Sequence, residues 1–277
     1  MTITRAVLPA FVTTESMLPR VYAYGAALFN QIPIGVGITG PLVADANHTL
    51  LTGDASQTGR AATNHSAQAL ARGHELAVIA LTDQPSATEV LCPFIAARAT
   101  DMDAAAVALR HVSAELTRRT RLLQEHAAFS FDRLPNTVRM SWEPVSPITV
   151  IVEDPAPLLA EPELAALFDT IVARGRHLGI HLLVTATALR PAAAQHLTRF
   201  NSRITLMDTV DEELLELTAR FDGIPKSPQE LTGPGLAVAD IAGIPSLYRQ
   251  AVPDDADNLL GRLREIGVPD ADSWFSA

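Results

Sequence analysis

Apolar positions along the chain fall into two textures. Residues 49–52, 75–81, 148–152, 180–185 and 203–207 are short runs in which nearly every position is apolar or β-branched. Strands covered by helices on both faces of a parallel sheet have this texture. Between these runs, residues 61–72, 100–125, 163–176, 191–200 and 211–221 follow the helical period. In the longest of them, Thr100, Asp101 and Asp103 supply capping chemistry, and Val107, Leu109, Val112, Leu116, Leu122 and Leu123 gather near one face. Arg118, Arg119 and Arg121 are expected on its solvated side. The helix at 163–176 closes on Gly179, and Asp211 suits the cap of the helix it opens. Residues 32–37 predict a short strand entering a turn at Gly40-Pro41. The Pro-interrupted stretch from Pro135 to Pro147 predicts loop, and 235–239 with 246–250 a late pair of strands.

Alternating strands and helices over most of 277 residues predict one α/β domain with a mainly parallel, doubly wound sheet. The expected organisation is a peripheral lead-in over 1–30, the domain over 31–252 and a mobile acidic tail over 253–277. Hydrophobic residues make up 48% of the chain and charged ones 19%, which suits a sizeable core. No apolar run reaches the ~20 residues that span a bilayer. The first residues lack the basic-then-apolar order of a secretory signal, and Cys92 is the single cysteine. These features predict a soluble, cytoplasmic protein without membrane insertion of its own.

The formal net charge of −10 changes the expected partners. Tight autonomous binding to DNA draws on Lys and Arg to neutralise phosphates, so weak DNA binding is expected unless an assembly concentrates the arginines. Arg is used almost to the exclusion of Lys, and Lys226 is the sole lysine.

The candidate chemistry sits after the run at 49–52. From His48 to Ala62 a short strand meets a small-residue segment and then a helix, the layout of a phosphate-cradling loop of form G-x-x-x-x-G-K-[ST]. Aligned on Gly59, that pattern has Asp54 at its first Gly, Arg60 at its Lys and Ala61 at its hydroxyl, while Gly53 falls one residue early. Candidate nucleotide-binding residues are therefore Asp54, Ala55, Ser56, Gln57, Thr58, Gly59, Arg60, Ala61 and Ala62. Ala61 cannot ligate Mg²⁺, and Arg60 replaces a compact ammonium by a planar fork. A plain strand-to-helix turn fits the same residues. A second constellation, Val150-Ile151-Val152-Glu153-Asp154, ends a strand in two carboxylates. In P-loop enzymes such acids hold Mg²⁺ and orient the attacking water, which makes Glu153 and Asp154 the candidate catalytic pair. Two exposed acids capping a strand end are the alternative.

Several segments resemble the FtsK/SpoIIIE family of P-loop motors, which includes the EccC ATPases of type VII secretion and FtsK-like plasmid transfer proteins. The similar segments are Ile32 to Val36, His48 to Gly53, Gln57 to Arg60, the helix of Ala114 to Leu123, and Gly175 to Thr187. They come in the family's order across roughly residues 32 to 250. The resemblance implies a RecA-like P-loop NTPase fold and ATP as a ligand. Asp54, Arg60, Ala61 and the Glu-Asp order of the acids depart from the family pattern, so Mg²⁺ has little support and hydrolysis is expected to be weak or absent. The resemblance further implies a regulatory or partner-binding subunit of a secretion or DNA-transfer motor, in a homo- or hetero-oligomer with a homologous motor subunit or a secreted-protein substrate. The alternative it allows is an active DNA or protein translocase with Arg60 in the place of Lys.

Overall fold

The computed structural model describes residues 12–20, 31–37, 40–45, 48–82, 86–139, 145–188, 190–206, 235–241 and 244–274. The strands are β1 (Gln31–Gly37), β2 (Gly40–Asp45), β3 (Thr49–Thr52), β4 (Glu75–Ala80), β5 (Ile95–Ala99), β6 (Ile148–Glu153), β7 (Ile180–Ala186), β8 (Ser202–Leu206), β9 (Leu236–Ile241) and β10 (Ile244–Gln250). The helices are α1 (Thr14–Met17), α2 (Ala55–Leu70), α3 (Met102–Glu125), α4 (Asn136–Arg139), α5 (Ala156–Ala160), α6 (Pro162–Arg174), α7 (Pro191–Leu197) and α8 (Ala256–Glu265).

All ten strands form one sheet in the order β2-β1-β10-β9-β8-β3-β7-β6-β4-β5. From β8 to β5 the neighbours are parallel, and from β8 to β2 they are antiparallel. Successive residues of the central strands serve opposite cores, as a pleated backbone requires. Leu50, Val150, Val152, Leu182 and Val184 join α3, α5, α6 and α7 on one face. Leu51, Ile151 and Leu183 join α2, α8, β9 and β10 on the other. The expected mainly parallel, doubly wound sheet is what forms, and the late strands pair as an antiparallel hairpin.

Several expectations fail, each for a physical reason. Gly40 and Pro41 are not a turn, because they pair with Gly37 and Val36 inside the β1–β2 ladder. Between β4 and β5 a 3-10 turn spans Ala87–Phe94, and neither it nor β5 has a clear signal in the hydrophobic pattern. The acidic tail is no tail through residue 274. Leu259 and Leu263, spaced i, i+4 on α8, are fully buried, and Ile266 and Val268 follow them into the α2-side core. Beyond the helix, Ala271 N–H donates to Pro93 O and Trp274 N–H to Ala96 O, while Trp274 stacks on His111 at 4.5 Å. Within the lead-in, Thr14 N–H donates to Val252 O and Val252 N–H to Val12 O. The helix expected at 211–221 lies outside the described residues.

The largest departure is Arg119, expected in solvent and only 2% exposed. It donates to Leu178 O (2.9 Å), Gly179 O (3.1 Å), Ser146 O (2.6 Å) and Glu115 (2.7 Å), and its guanidinium lies 5.0 Å from the Phe131 ring centroid. Gly179 has φ +70°, and a Cβ there would meet the same Phe131 ring at 2.6 Å, so the turn needs glycine. The neighbouring Arg118 and Arg121 are exposed as expected.

Buried histidines line the amino ends of the central strands. His48 Nδ1 accepts Leu182 N–H at 3.0 Å, His74 Nδ1 contacts Thr149 Oγ1 at 2.9 Å, and the His74 and His181 rings lie 5.6 Å apart. Burial first, then the charge of Arg176, pulls the pKa of His48 down to about 4. Burial, reinforced by His74 and Arg72, takes His65 down to about 3, and burial holds His181 well below its usual value.

Two outcomes are expected. Arg119→Met leaves the Leu178 and Ser146 carbonyls without this donor and removes one of the two guanidinium partners of Glu115. It should cost roughly 3–5 kcal/mol in urea unfolding, whereas Arg118→Met should cost less than about 1 kcal/mol. The second concerns pH. Below about pH 6.5 the unfolded chain protonates these histidines while the folded chain does not. Stability should therefore fall as pH drops towards about 4, by about 1.4 kcal/mol per pH unit for each such histidine. Unfolding free energies between pH 7.5 and 4.5 measure the slope, and a flat profile would contradict it.

Candidate functional site

Strand β3 runs to the carboxyl edge of the sheet, the edge at which open α/β sheets bind ligands. There Gly53 N–H reaches Ala186 O at the end of β7 (3.4 Å). The chain then enters α2 at once: helix begins at Ala55, and no eight-residue cradle forms over 54–61. This corrects the expected loop in favour of the strand-to-helix turn. Asp54 is the reason. Its Oδ1 accepts Ser56 N–H (2.9 Å) and Gln57 N–H (3.1 Å), and its carbonyl accepts Thr58 N–H (2.9 Å). Asp is a strong N-cap, and Ala55, Gln57, Arg60, Ala61 and Ala62 all favour helix, so the segment winds where a glycine-rich loop would stay open.

The consequences for the candidate residues can be read position by position. Asp54, Ala55, Ser56 and Arg60 are exposed and Gln57 is half-buried. Thr58 is buried, with its hydroxyl turned back to Asp54 O at 2.9 Å. Gly59, Ala61 and Ala62 are buried within α2. Three consecutive amides that could face a phosphate are consumed by Asp54. A Mg²⁺–ATP complex therefore does not fit these residues as they stand: the amides are occupied, Ala61 offers no ligand and the Thr58 hydroxyl is engaged.

The two acids end β6 at the same edge. Two strand spacings, roughly 10 Å, separate that strand end from β3, with β7 between them. Glu153 Oε1 accepts from Ser86 Oγ (2.6 Å) and Thr88 Oγ1 (3.2 Å). Asp154 takes a left-handed backbone (φ 47°), which Asp tolerates better than most residues. Its N–H donates to Thr185 O (3.2 Å), and its carboxylate lies 3.5 Å from Arg190. Ser86, Thr88 and Arg190 escape sequence reasoning because they arrive from the β4 exit and the segment after β7. Among the described residues no group of His, Cys, Asp or Glu is arranged to hold a metal ion.

No protein-family model matches this chain, and no curated protein does. Solved structures do. The conjugation coupling protein TcpA of pCW3, in a monomer form with ATPγS, superposes with TM-score 0.75 at 14% identity over 92% of this chain and 75% of its own. EssC ATPases 2 and 3 from Geobacillus thermodenitrificans give 0.71 at 16%, covering 96% of this chain and 54% of theirs. The cytoplasmic domain of Thermomonospora curvata EccC gives 0.70 at 19%, covering 95% and 35%.

The fold is that of the ATPase domains in these proteins. The same EccC has also been solved, as ATPases 2 and 3, in complex with a signal sequence peptide (TM-score 0.60). Against EssC and EccC this chain spans about half and about a third of the relative's length. At such identities the likeness establishes a RecA-like α/β architecture, which agrees with the strand order described above.

Asp54 should behave as a structural cap. Asp54→Ala should lower stability by roughly 0.5–2 kcal/mol, and Asp54→Asn, which keeps the acceptor, by much less. Thermal melts of the two variants provide the check.

Proposed function

We propose that this chain is a motor-fold domain with weak or absent ATP hydrolysis. In this reading it serves as a regulatory or substrate-recognising subunit of a secretion or DNA-transfer motor. The observation that carries the proposal is the Asp54 cap: a carboxylate takes the amides that a nucleotide's phosphates would need, and it would repel those phosphates as well. Phosphoryl transfer in P-loop enzymes rests on positioning and on charge neutralisation by Lys and Mg²⁺. Here Arg60 and Ala61 stand at those positions. The intact hydrophobic cores favour a domain retained for shape and docking, with a homologous motor subunit or a secreted protein as partner, inside the cytoplasm. Net charge −10 argues for weak DNA contact outside an assembly.

One observation favours the other reading, an ATP-driven translocase: Glu153 does stand at the carboxyl edge, hydrogen-bonded and pre-oriented. Steady-state ATPase measurements separate the two. Negligible turnover is expected, with little gain from Arg60→Lys plus Ala61→Thr unless Asp54→Gly is added. Turnover in the range of roughly 1–100 s⁻¹, abolished by Glu153→Gln, would establish the translocase reading instead. Co-expression with a catalytically intact homologue, followed by size-exclusion chromatography with light scattering, tests the partner role. A chain that elutes alone and leaves the homologue's ATPase rate unchanged would remove it.

A further inference from the structure

A second candidate site lies at the opposite, amino edge of the sheet. His48, just before β3, shares a small cavity of about 180 Å³ with Val172, Ala173, Arg176, His177, Arg199 and Asn201. No carboxylate is among those residues. The Arg176 side chain is exposed and forms no hydrogen bond or ion pair among the described residues. Arg199 is held on one side by Asp169 (3.0 Å), which also contacts His196 (2.7 Å).

His48 is the informative residue. The residue is 7% exposed, and its Nδ1 already accepts the Leu182 N–H, so the neutral ring carries its proton on Nε2. That Nε2–H has no hydrogen-bond partner among the described residues. A buried donor left unpaired carries a desolvation cost, and such groups call for a missing acceptor. The ring is also packed tightly: a Cβ on Gly175 would stand 3.1 Å from His48 Cε1. Burial and the nearby positive charge of Arg176 both disfavour protonating His48, so the ring meets a ligand as a neutral donor.

We infer that this cavity binds a small tetrahedral oxyanion of the phosphate or sulfate class, held by Arg176 and Arg199 and by the Nε2–H of His48. Pockets for drug-sized ligands run to about 300–1,000 Å³, so this one excludes a nucleotide but admits such an ion with a few waters. A compact anion would give the orphaned donor its acceptor and would balance two guanidinium groups of which, among the described residues, one has an acidic partner. The site is separate from the candidate nucleotide residues, which lie at the other end of β3, and it stands or falls independently of the motor reading.

The test uses the full chain and inorganic phosphate, with sodium chloride at matched ionic strength as the control. Long-range proton–nitrogen NMR follows the His48 imidazole during the titration. Saturable movement of the Nε2 resonance with phosphate and not with chloride is the expected result. Arg176→Ala removes an exposed side chain and should weaken the phosphate affinity about tenfold, the loss of one charge-assisted contact, while Arg121→Ala leaves it unchanged. Absence of saturation, an equal response to chloride, or an affinity indifferent to Arg176→Ala would each overturn the assignment.

Discussion

The architecture depends on one buried guanidinium. Arg119 projects from α3 into the place where two connections arrive, the segment before β6 and the turn before β7, and it donates to a carbonyl of the first and two of the second. Gly179 O also accepts Ile148 N–H at 2.9 Å, but the carbonyls of Leu178 and Ser146 rely on the guanidinium, and an unpaired interior peptide group is expensive. The charge is tolerable because Glu115 sits one helical turn away and the Phe131 ring lies close by. Fixing where β6 and β7 begin also fixes where they end. The position of Glu153 at the carboxyl edge is thus set partly by a contact at the amino edge.

Much of the fold was legible because both faces of the central sheet are covered, so β3, β4, β6 and β7 appear as unbroken apolar runs. Arg119 was not legible, since periodicity cannot distinguish an arginine that finds three carbonyls from one that finds water. Its role belongs to tertiary structure, and the only trace in the sequence was that its helix and the Gly175 to Thr187 segment both resembled one family. In the fold those two segments touch through Arg119. The amphipathic spacing of Leu259 and Leu263 was available, but an acidic composition concealed it. The strand-to-helix junction was legible as a place and not as a shape. The strand before Gly53 and the helix after it were expected, and the two acids were expected at a strand end. What Asp54 does could be learned only from its hydrogen bonds, because an aspartate before a helix either caps it or turns away.

A helix N-terminus has a fixed number of unpaired amides, and a side chain and a ligand compete for them on unequal terms. The side chain is tethered, always present and already desolvated in part. An aspartate at the start of such a helix therefore does more than cap it. It installs a permanent occupant and lets the following residues complete the first turns of the helix, which in turn draws Thr58 and Gly59 into the interior.

The ends of the sheet bear on how this domain could meet another. Strand β2 forms one border, and Pro41 within it presents no N–H to an incoming strand. At the other border β5 carries Arg98, whose guanidinium reaches Glu89 and the Cys92 sulfur. A proline and a charged side chain are common means of discouraging strand addition. With its borders blunted, the sheet is poorly suited to extension into a continuous intermolecular ribbon. Association would then fall to helices and loops, whose contacts can be made and released without breaking a backbone ladder.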